Sequence, residues 1–250
     1  MRPPLAHPEF DSLFERYQAL PKQPLKVVAH LASAMVNYEP LNLDGLLGWA
    51  VLQEVVGANH LNPQEGLWRV PVPLEVVHTQ DGWPMYASTA LWPDPKAIND
   101  SVIYHKRAQP GRYTGTKKGT FQIESTAGRW MDRRMPIPTL NTPTLTAWVV
   151  GNPAEVARLL ERLKFIGRRR SAGHGEVLSW DIHEAPNMPL VLQGPNGPML
   201  SRNIPVAVAR KYKLKLQDPL EPPVRVAFTH PYHQPDMHVE GYRVGTLLEV

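Results

Sequence analysis

The stretch that decides the fold is TLTAWVVGNPAEVARLLERLKFIGRRRSAGHGEVLSWDIH, residues 144–183. Its first part, 144–150, is apolar and rich in β-branched residues, which predicts a strand. The run NPAE, residues 152–155, then starts a helix with a capping amide, a proline in the first turn and a carboxylate three residues after the cap. Four apolar residues at the spacing i, i+3, i+4, i+7 form its buried stripe: Val156, Leu159, Leu160 and Leu163. A glycine-rich turn and a strand at 176–183 complete a strand–helix–strand unit.

A similar unit precedes it. Residues 25–36 (LKVVAHLASAMV) predict a strand, and 45–56 (GLLGWAVLQEVV) predict a helix that Asp44 caps. Residues 70–78 (VPVPLEVVH) predict a strand whose prolines favour a sheet edge. The whole order indicates an α+β, ferredoxin-like (RRM-like) split β-α-β domain over 25–184. Its antiparallel sheet would have helices on one face and a free second face, where RNA-recognition modules stack bases.

The chain divides into three parts on this basis. An N-terminal arm, 1–24, precedes the ferredoxin-like domain, and a β-rich extension, 185–250, follows it. Inside the domain, residues 79–143 are rich in Gly, Pro, Thr, Lys and Arg and are read as a basic insertion. An unstructured loop of that length is uncommon in a compact domain, so we expect the insertion to contain strands or a hairpin of its own.

Composition excludes several classes of protein. With 250 residues, 42% hydrophobic and 20% charged, the chain has ordinary globular composition. Cysteine is absent, which excludes disulfides, thiolate zinc sites, iron–sulfur clusters and a cysteine nucleophile. No apolar run approaches the length of a membrane span, and the N-terminus lacks the apolar core of a signal peptide. We therefore expect a cytoplasmic protein without membrane partners.

The positive charge is concentrated in the insertion. The net charge is +4, yet residues 1–95 carry 5 Lys/Arg against 10 Asp/Glu, whereas residues 96–134 carry 9 against 3. A basic segment in a nearly neutral protein is typical of a polyanion site. A solvated basic loop that binds nothing explains the same charge equally well.

The segment with the most chemistry is IGRRRSAGHGE, residues 166–176. Its three glycines permit sharp turns and a close approach of backbone amides to a ligand, while three consecutive arginines offer donors shaped for phosphate. The segment has no Gly-Lys-Ser/Thr ending, so it is not a Walker loop, and it follows a helix, so it is not a dinucleotide fingerprint. It predicts a cradle for a nucleic-acid backbone. The alternative is a tight turn with solvated arginines.

Four segments carry a family resemblance. LLERLKFIGRRRSAGHGEVLSWDI, residues 159–182, resembles the glycine-rich loop of the RAMP superfamily of CRISPR-associated proteins, which are ferredoxin-like RNA binders. LNLDGLLGWAVLQE (41–54), MYASTALW (85–92) and MLSRNIPV (199–206) are similar to segments of one branch of that superfamily. Together they resemble the "Cas five"-type subunit of type IV CRISPR effector complexes.

The resemblance implies a non-catalytic subunit without a cofactor or metal. Such a subunit grips the 5′ handle of the CRISPR RNA, starts the filament of helical backbone subunits and lies near a target-sensing subunit, reaching target DNA through the complex. His174 stands where many relatives carry an aromatic residue, and the insertion stands where relatives carry a thumb-like hairpin. The residues expected to bind RNA are Ser88, Lys106, Arg107, Arg112, Lys117, Lys118, Gly167, Arg168, Arg169, Arg170, Ser171, Gly173, His174, Gly175 and Arg202.

A metal-independent CRISPR-repeat endoribonuclease of the same superfamily is the main alternative. That chemistry needs a general base for the 2′-OH and a cation for the phosphorane. His105, beside Lys106 and Arg107, is the better candidate base, followed by His174. In relatives that cut repeats the glycine loop lies near the C-terminus, whereas 75 residues follow it here, which favours the non-catalytic alternative.

Three weaker patterns remain. His230, His233, Asp236 and His238 offer metal ligands, although a proline-rich turn with incidental histidines explains them better. Trp49, Trp148 and Trp180 are expected to pack within the predicted elements. Four aromatics interleaved with cations could stack on bases: Tyr86, Trp92, Tyr104 and Tyr113. Alternation over 210–216 predicts a strand with a basic face, directed at nucleic acid or simply at solvent.

Overall fold

The computed structural model describes residues 4–36, 40–57, 67–106, 133–218 and 220–249. The helices are α1 Pro8–Ala19, α2 Leu43–Val55, α3 Pro153–Leu160 and α4 Val206–Lys211. The strands are β1 Gln23–Leu31, β2 Val76–Gln80, β3 Trp83–Tyr86, β4 Trp92–Pro93, β5 Ile98–Lys106, β6 Arg133–Asn141, β7 Thr144–Gly151, β8 Val177–Glu184, β9 Val191–Gly194, β10 Gly197–Leu200, β11 Ile204–Pro205, β12 Val224–Ala227 and β13 His238–Tyr242. The fold is mixed α+β, and the named strands pair antiparallel. None of the described helices has the length and apolar character needed to cross a bilayer.

The central sheet has the strand order β4-β7-β1-β8. Strand β1 lies between β7, where Gln23 pairs with Gly151 and His30 with Thr144, and β8, where Leu25 pairs with Glu184. Alternate residues of β1 and β7 are buried, as expected for a sheet with one covered face. They pack with α1, α2 and α3 into the first hydrophobic core.

The predicted unit around α3 is confirmed. The Asn152 side chain accepts a hydrogen bond from the Glu155 amide at 3.1 Å, and the stripe residues Val156, Leu159 and Leu160 are buried. Strands β7 and β8 lie within one residue of their predicted bounds. Local capping signals and the tertiary burial pattern agree here, which explains why the sequence was sufficient.

The other sheet edge differs from the prediction. The two-residue strand β4 pairs with β7, whereas residues 76–80 pair with β3 in a separate hairpin. The segment expected to form the edge strand does meet β7, where Leu74 bridges Gly151 and the Glu75 amide donates to the Val150 carbonyl oxygen at 2.8 Å. It forms no longer ladder there because Pro71 and Pro73 lack amide donors, and its Val72 and Leu74 are buried in the core. Strand β1 also ends earlier than predicted, at Leu31.

The predicted insertion, 79–143, contains buried core residues as well as a two-stranded ribbon. Trp83, Met85 and Tyr86, which the sequence placed in it, are at most 2% exposed. Strands β5 and β6 form a long two-stranded ribbon, from Ile98 paired with Asn141 to Lys106 paired with Arg133. Four predicted cations and one aromatic lie outside the described residues: Arg107, Arg112, Lys117, Lys118 and Tyr113.

The C-terminal part builds a second core. Strands β11, β13 and β12 form a small sheet, and Leu200, Ile204 and Phe228 pack there with Trp83 and Met85 from β3. The strand predicted at 210–216 is wrong. Helix α4 runs from Val206 to Lys211 because an apolar segment that buries Val208 and Ala209 follows Pro205.

Candidate nucleic-acid interface

The glycine-rich turn, defined here as residues 166–176, lies against the chain that follows β1. The Arg168 amide donates to the Val36 carbonyl oxygen at 2.7 Å, and the Gly175 amide donates to that of Ala34 at 3.1 Å. The Ile166 amide donates to the Gly175 carbonyl oxygen at 2.8 Å and closes the turn on itself. Both ends of the turn are therefore held by backbone hydrogen bonds.

Two of the glycines are required by space as well as by conformation. Gly175 has φ +70°, and a Cβ atom there would overlap the carbonyl oxygen of Ile166. Gly167 has φ +81°, and its Cβ would lie 2.8 Å from the Val36 carbonyl oxygen. Gly173 has φ +83° but open space around it. Each φ lies in the left-handed region that favours glycine.

The middle of the turn exposes amides and arginines together. Arg169 adopts a left-handed conformation, with φ 59°, and a short 3₁₀ helix over Arg170–Ala172 follows it. Consecutive residues of opposite hand direct successive amides into one concave nest, which is a site suited to an anion. Within the described parts of the chain, the amides of Arg169, Arg170 and Ser171 donate to no protein acceptor, whereas those of Ala172 and Gly173 close the short helix.

The arginine side chains spread in different directions from this nest. The Arg169 guanidinium lies 5.1 Å from the centre of the Tyr104 ring on β5, and that of Arg170 lies 4.9 Å from the centre of the Trp49 ring on α2. The side chains of Arg168, Arg169, Arg170 and Ser171 are exposed. A cation–π contact holds a guanidinium near one place without using its donors. Two of the three arginines are thus positioned and still able to bind phosphate.

Ser33 supports the turn and was missed by the sequence analysis, which placed it inside a strand. Its hydroxyl donates to the Gly173 carbonyl oxygen at 2.7 Å and accepts from the Glu176 amide at 3.0 Å. His174 is half-buried, and its Nδ1 lies 3.2 Å from the Ala34 carbonyl oxygen. Because a carbonyl oxygen only accepts, Nδ1 carries the proton, and a neutral ring therefore keeps a lone pair on Nε2.

The ribbon of β5 and β6 is joined to the same surface. The amides and carbonyl oxygens of Met35 and Leu140 exchange hydrogen bonds of 2.9 and 2.8 Å. At its far end Lys106 pairs with Arg133, and His105 pairs with Arg134. The glycine-rich turn, the segment 33–36 and the ribbon thus form one continuous surface that carries exposed cations.

Arg202 and Ser88, predicted to contact RNA, are buried. The Arg202 side chain is 1% exposed, its Nη2 lies 3.6 Å from the Asp44 carboxylate, and it donates to the carbonyl oxygens of Tyr86, Ser88 and Phe228. The Ser88 hydroxyl accepts from the Asp44 amide at 3.2 Å and donates to the Thr89 carbonyl oxygen at 3.1 Å. Both side chains are occupied within the protein. The structure therefore corrects their assignment to the RNA surface.

Asp44 is the centre of this buried network and not a helix cap. The residue before α2 is Asn42, and the Asp44 carboxylate accepts from the Tyr232 hydroxyl at 2.8 Å. Burial, followed by the Asp44 charge, raises the pKa of Tyr232 well above its ordinary value. The network connects α2 of the first core to the segment around Phe228 in the second core. Its role is to fix the C-terminal part against the rest of the protein.

The histidine cluster also has a structural role. His230 is buried, its Nε2 lies 2.8 Å from the Val70 carbonyl oxygen, and its ring stacks on Tyr86 with a centroid distance of 5.8 Å. Burial lowers the pKa of His230. In the part of the chain that the structure describes, no three His, Cys, Asp or Glu residues are placed to hold a metal ion.

The remaining aromatics separate into packed and surface groups. Tyr86 is fully buried and serves packing instead of base stacking, whereas Trp92 is half-buried and donates its indole N–H to the Ser201 carbonyl oxygen at 3.3 Å. Trp180 likewise donates to the Leu163 carbonyl oxygen at 3.2 Å. Trp148 is half-buried on the sheet face opposite the helices, in a row with Lys26 of β1.

The family of this chain was identified by comparing its sequence and structure with those of known proteins. The model of the family described as CRISPR type IV associated protein Csf3 matches residues 23–189. One similar solved chain, from the "Cryo-EM structure of the Type III-B Cmr-beta bound to cognate target RNA", is 12% identical with a TM-score of 0.34, over 71% of this chain and 66% of that chain. No curated protein matches the sequence. The type IV prediction is confirmed, and the narrower "Cas five"-type assignment stays a prediction. Because the family match covers most of its length, the chain belongs to the CRISPR type IV associated protein Csf3 family.

Proposed function

We propose that this chain is the non-catalytic RNA-binding subunit that caps the 5′ handle of the CRISPR RNA in a type IV CRISPR ribonucleoprotein. The observation that carries the proposal is the glycine-rich turn, where three exposed arginines and three amides that donate to no acceptor among the described residues occupy one nest-shaped surface. Backbone amides and guanidinium groups are the donors that bind phosphate in nucleic-acid complexes. In this proposal the subunit is of the "Cas five" type and requires no metal or cofactor.

The topology supports the proposal. We infer a ferredoxin-like fold, because the first and third strands of the central sheet in chain order, β1 and β7, lie in its middle, and the last, β8, flanks the first. The other edge of the central sheet is formed by the two-residue strand β4. In this arrangement the glycine-rich turn connects the second helix of the unit, α3, to the last strand, which is where the resemblance places the RNA-binding loop.

The ribbon of β5 and β6 suits contacts with neighbouring molecules. Ile98, Val102 and Ile103 are large apolar residues exposed by 63%, 41% and 50% on β5. Exposed apolar groups that share one face are typical of surfaces that dock a partner, and Ile98 and Val102 lie on the same face of β5. In the proposal this ribbon contacts the guide and the first helical backbone subunit, and the target-sensing subunit and target DNA are reached through the assembled complex. We place that complex in the cytoplasm.

RNA binding by the full chain tests the proposal directly. Fluorescence anisotropy with labelled CRISPR-repeat RNA would compare the wild type with the triple variant Arg168→Ala, Arg169→Ala, Arg170→Ala. Each phosphate contact to a single strand contributes about −0.7 to the slope of log K against log salt, so losing three contacts should flatten that slope by about 2.

The matched control removes three cations elsewhere, in the variant Arg210→Ala, Lys211→Ala, Lys213→Ala. We expect it to bind RNA within a few-fold of the wild type and with a nearly unchanged salt slope. If both triple variants lose affinity and slope equally, the binding is diffuse electrostatics and the glycine-rich turn is not the site.

Endoribonuclease activity is the second candidate function. The observation that favours it is the position of His174, whose Nδ1 contact to Ala34 leaves Nε2 as a base within the arginine-bearing turn. Incubating repeat RNA with the full chain in EDTA tests this possibility. Cutting at one site that is lost in His174→Ala or His105→Ala would replace the non-catalytic proposal. Intact RNA that stays bound supports it.

A further inference from the structure

A cleft adjoins the glycine-rich turn on the side of α2. It has a volume of about 420 Å³, and its lining includes Trp49, Arg162, Lys164, Phe165, Arg170 and Ser171. This volume falls within the range of about 300–1,000 Å³ found for sites that hold small ligands. Ser171 and Arg170 belong both to the cleft and to the amide nest, so the two features are continuous.

The lining combines two aromatic rings with three cations. Trp49 and Phe165 are half-buried, whereas the side chains of Arg170 and Lys164 are exposed. No carboxylate belongs to the described lining. Glu54 lies 3.8 Å from Arg162 but makes its shorter contact, 2.7 Å, with Arg158, so it neutralises Arg162 only in part. An aromatic surface beside cations that no carboxylate of the described lining neutralises complements a flat ring linked to an anion.

We propose that this cleft holds one nucleotide extruded from the bound RNA, with its base stacked on Trp49 and its phosphate held by Arg170 and Lys164. The proposal rests on the proposed function and names the subsite beside the nest. A phosphate seated on the amides of Arg170 and Ser171 places the neighbouring nucleotide at the mouth of the cleft. Stacking does not read base edges, so the subsite tolerates any base.

The Arg170 contact marks the place of the base. Its guanidinium now covers the Trp49 ring at 4.9 Å. Stacking of a base on an aromatic ring is worth more than an exposed cation–π contact. A base therefore displaces the guanidinium, which then becomes available to the phosphate of the same nucleotide. Arg170 in this sense is a positioning residue that keeps the ring covered until RNA arrives.

The test combines abasic RNA with tryptophan variants of the full chain. Repeat RNAs with a single abasic site at successive positions are titrated against the wild type, Trp49→Leu and Trp49→Phe. For the wild type we expect one position at which the abasic site weakens binding about 5- to 100-fold. That loss should be absent in Trp49→Leu and largely retained in Trp49→Phe. Trp148→Leu, which removes an indole from the sheet face, is the matched control and should respond like the wild type.

The outcomes separate the subsite from the proposed function. If no abasic position weakens RNA binding by the wild type, the subsite is overturned. This result does not depend on the folding of any variant protein. If the abasic site weakens binding equally in the wild type and in Trp49→Leu, the subsite is also overturned. The proposed function would still stand in either case, provided that the triple variant of Arg168, Arg169 and Arg170 loses RNA binding. Free AMP and UMP form a further arm. If the wild type binds AMP or UMP, Trp49→Leu does not, and no abasic position weakens RNA binding, the cleft is assigned to a free nucleotide. That result would overturn the proposal that the cleft holds a nucleotide of the bound RNA.

Discussion

Replacing Gly175 by alanine should damage the glycine-rich turn far more than replacing Gly173. Both residues have positive φ, +70° and +83°, so alanine at either position costs about 1–2 kcal/mol for the left-handed conformation alone. At Gly173 no atom lies within 4 Å of the added Cβ, so the conformational free energy is the whole cost of the substitution. At Gly175 the Cβ overlaps the Ile166 carbonyl oxygen, which is backbone and cannot rotate away.

Relief of that overlap requires the turn to open. Opening breaks the hydrogen bonds from the Gly175 amide to Ala34 and from the Ile166 amide to Gly175, each worth about 1 kcal/mol. We therefore expect Gly175→Ala to lower the free energy of unfolding by about 3–4 kcal/mol, and Gly173→Ala by about 1–2 kcal/mol.

Urea unfolding followed by tryptophan fluorescence measures both values, with repeat-RNA affinity as a second readout. Gly173→Ala should keep its RNA affinity within a few-fold, whereas Gly175→Ala should lose most of it because the amide nest is displaced. Equal stabilities of the two variants, or full RNA affinity in Gly175→Ala, would refute the reasoning that this packed turn geometry creates the site.

Three further predictions concern the protein around the site. Arg202→Met leaves the Asp44 carboxylate buried without its cation and should cost about 3–5 kcal/mol in urea unfolding, and Asp44→Asn added to it should restore part of that loss. The unfolded chain protonates His230 near pH 6.5, whereas burial lowers its pKa in the folded protein. Stability should therefore fall as the pH drops below about 6.5, by at most about 1.4 kcal/mol per pH unit, and His230→Gln should flatten that part of the profile. Asn152→Ala removes the cap of α3 and should cost about 1 kcal/mol in thermal or urea unfolding, without changing RNA affinity.

The sequence predicted best where local and tertiary preferences coincide. The cap at Asn152, the apolar stripe of α3 and the strands on either side were recoverable because each is encoded within a few residues and buried in the same pattern. The position of the glycine-rich turn followed from these bounds. The left-handed conformation of Arg169 and the hydrogen bonds from Ser33 could not be predicted in this way, because they depend on the chain that passes beneath the turn.

Side-chain direction was the main quantity that the sequence could not supply. The segment around Arg202 led to the prediction that this residue binds RNA, yet its guanidinium is directed into the protein because Asp44 and three carbonyl oxygens from distant segments converge there. Trp49 packs against the first core, as its apolar helix predicted, but the sequence did not show that its ring also lines the cleft beside Arg170. Both positions have the same cause, since the partner of each side chain lies far away in the sequence.

The most direct test of the central claim is site-specific crosslinking of guide RNA to the full chain. CRISPR RNAs that carry one 4-thiouridine at successive positions are bound, irradiated and mapped by mass spectrometry. We predict that nucleotides of the 5′ handle crosslink to the turn around Arg169, Arg170 and Ser171. Crosslinks from the handle that map only to other surfaces, or crosslinks to the turn that come only from the guide's 3′ end, would contradict the claim that this turn caps the handle.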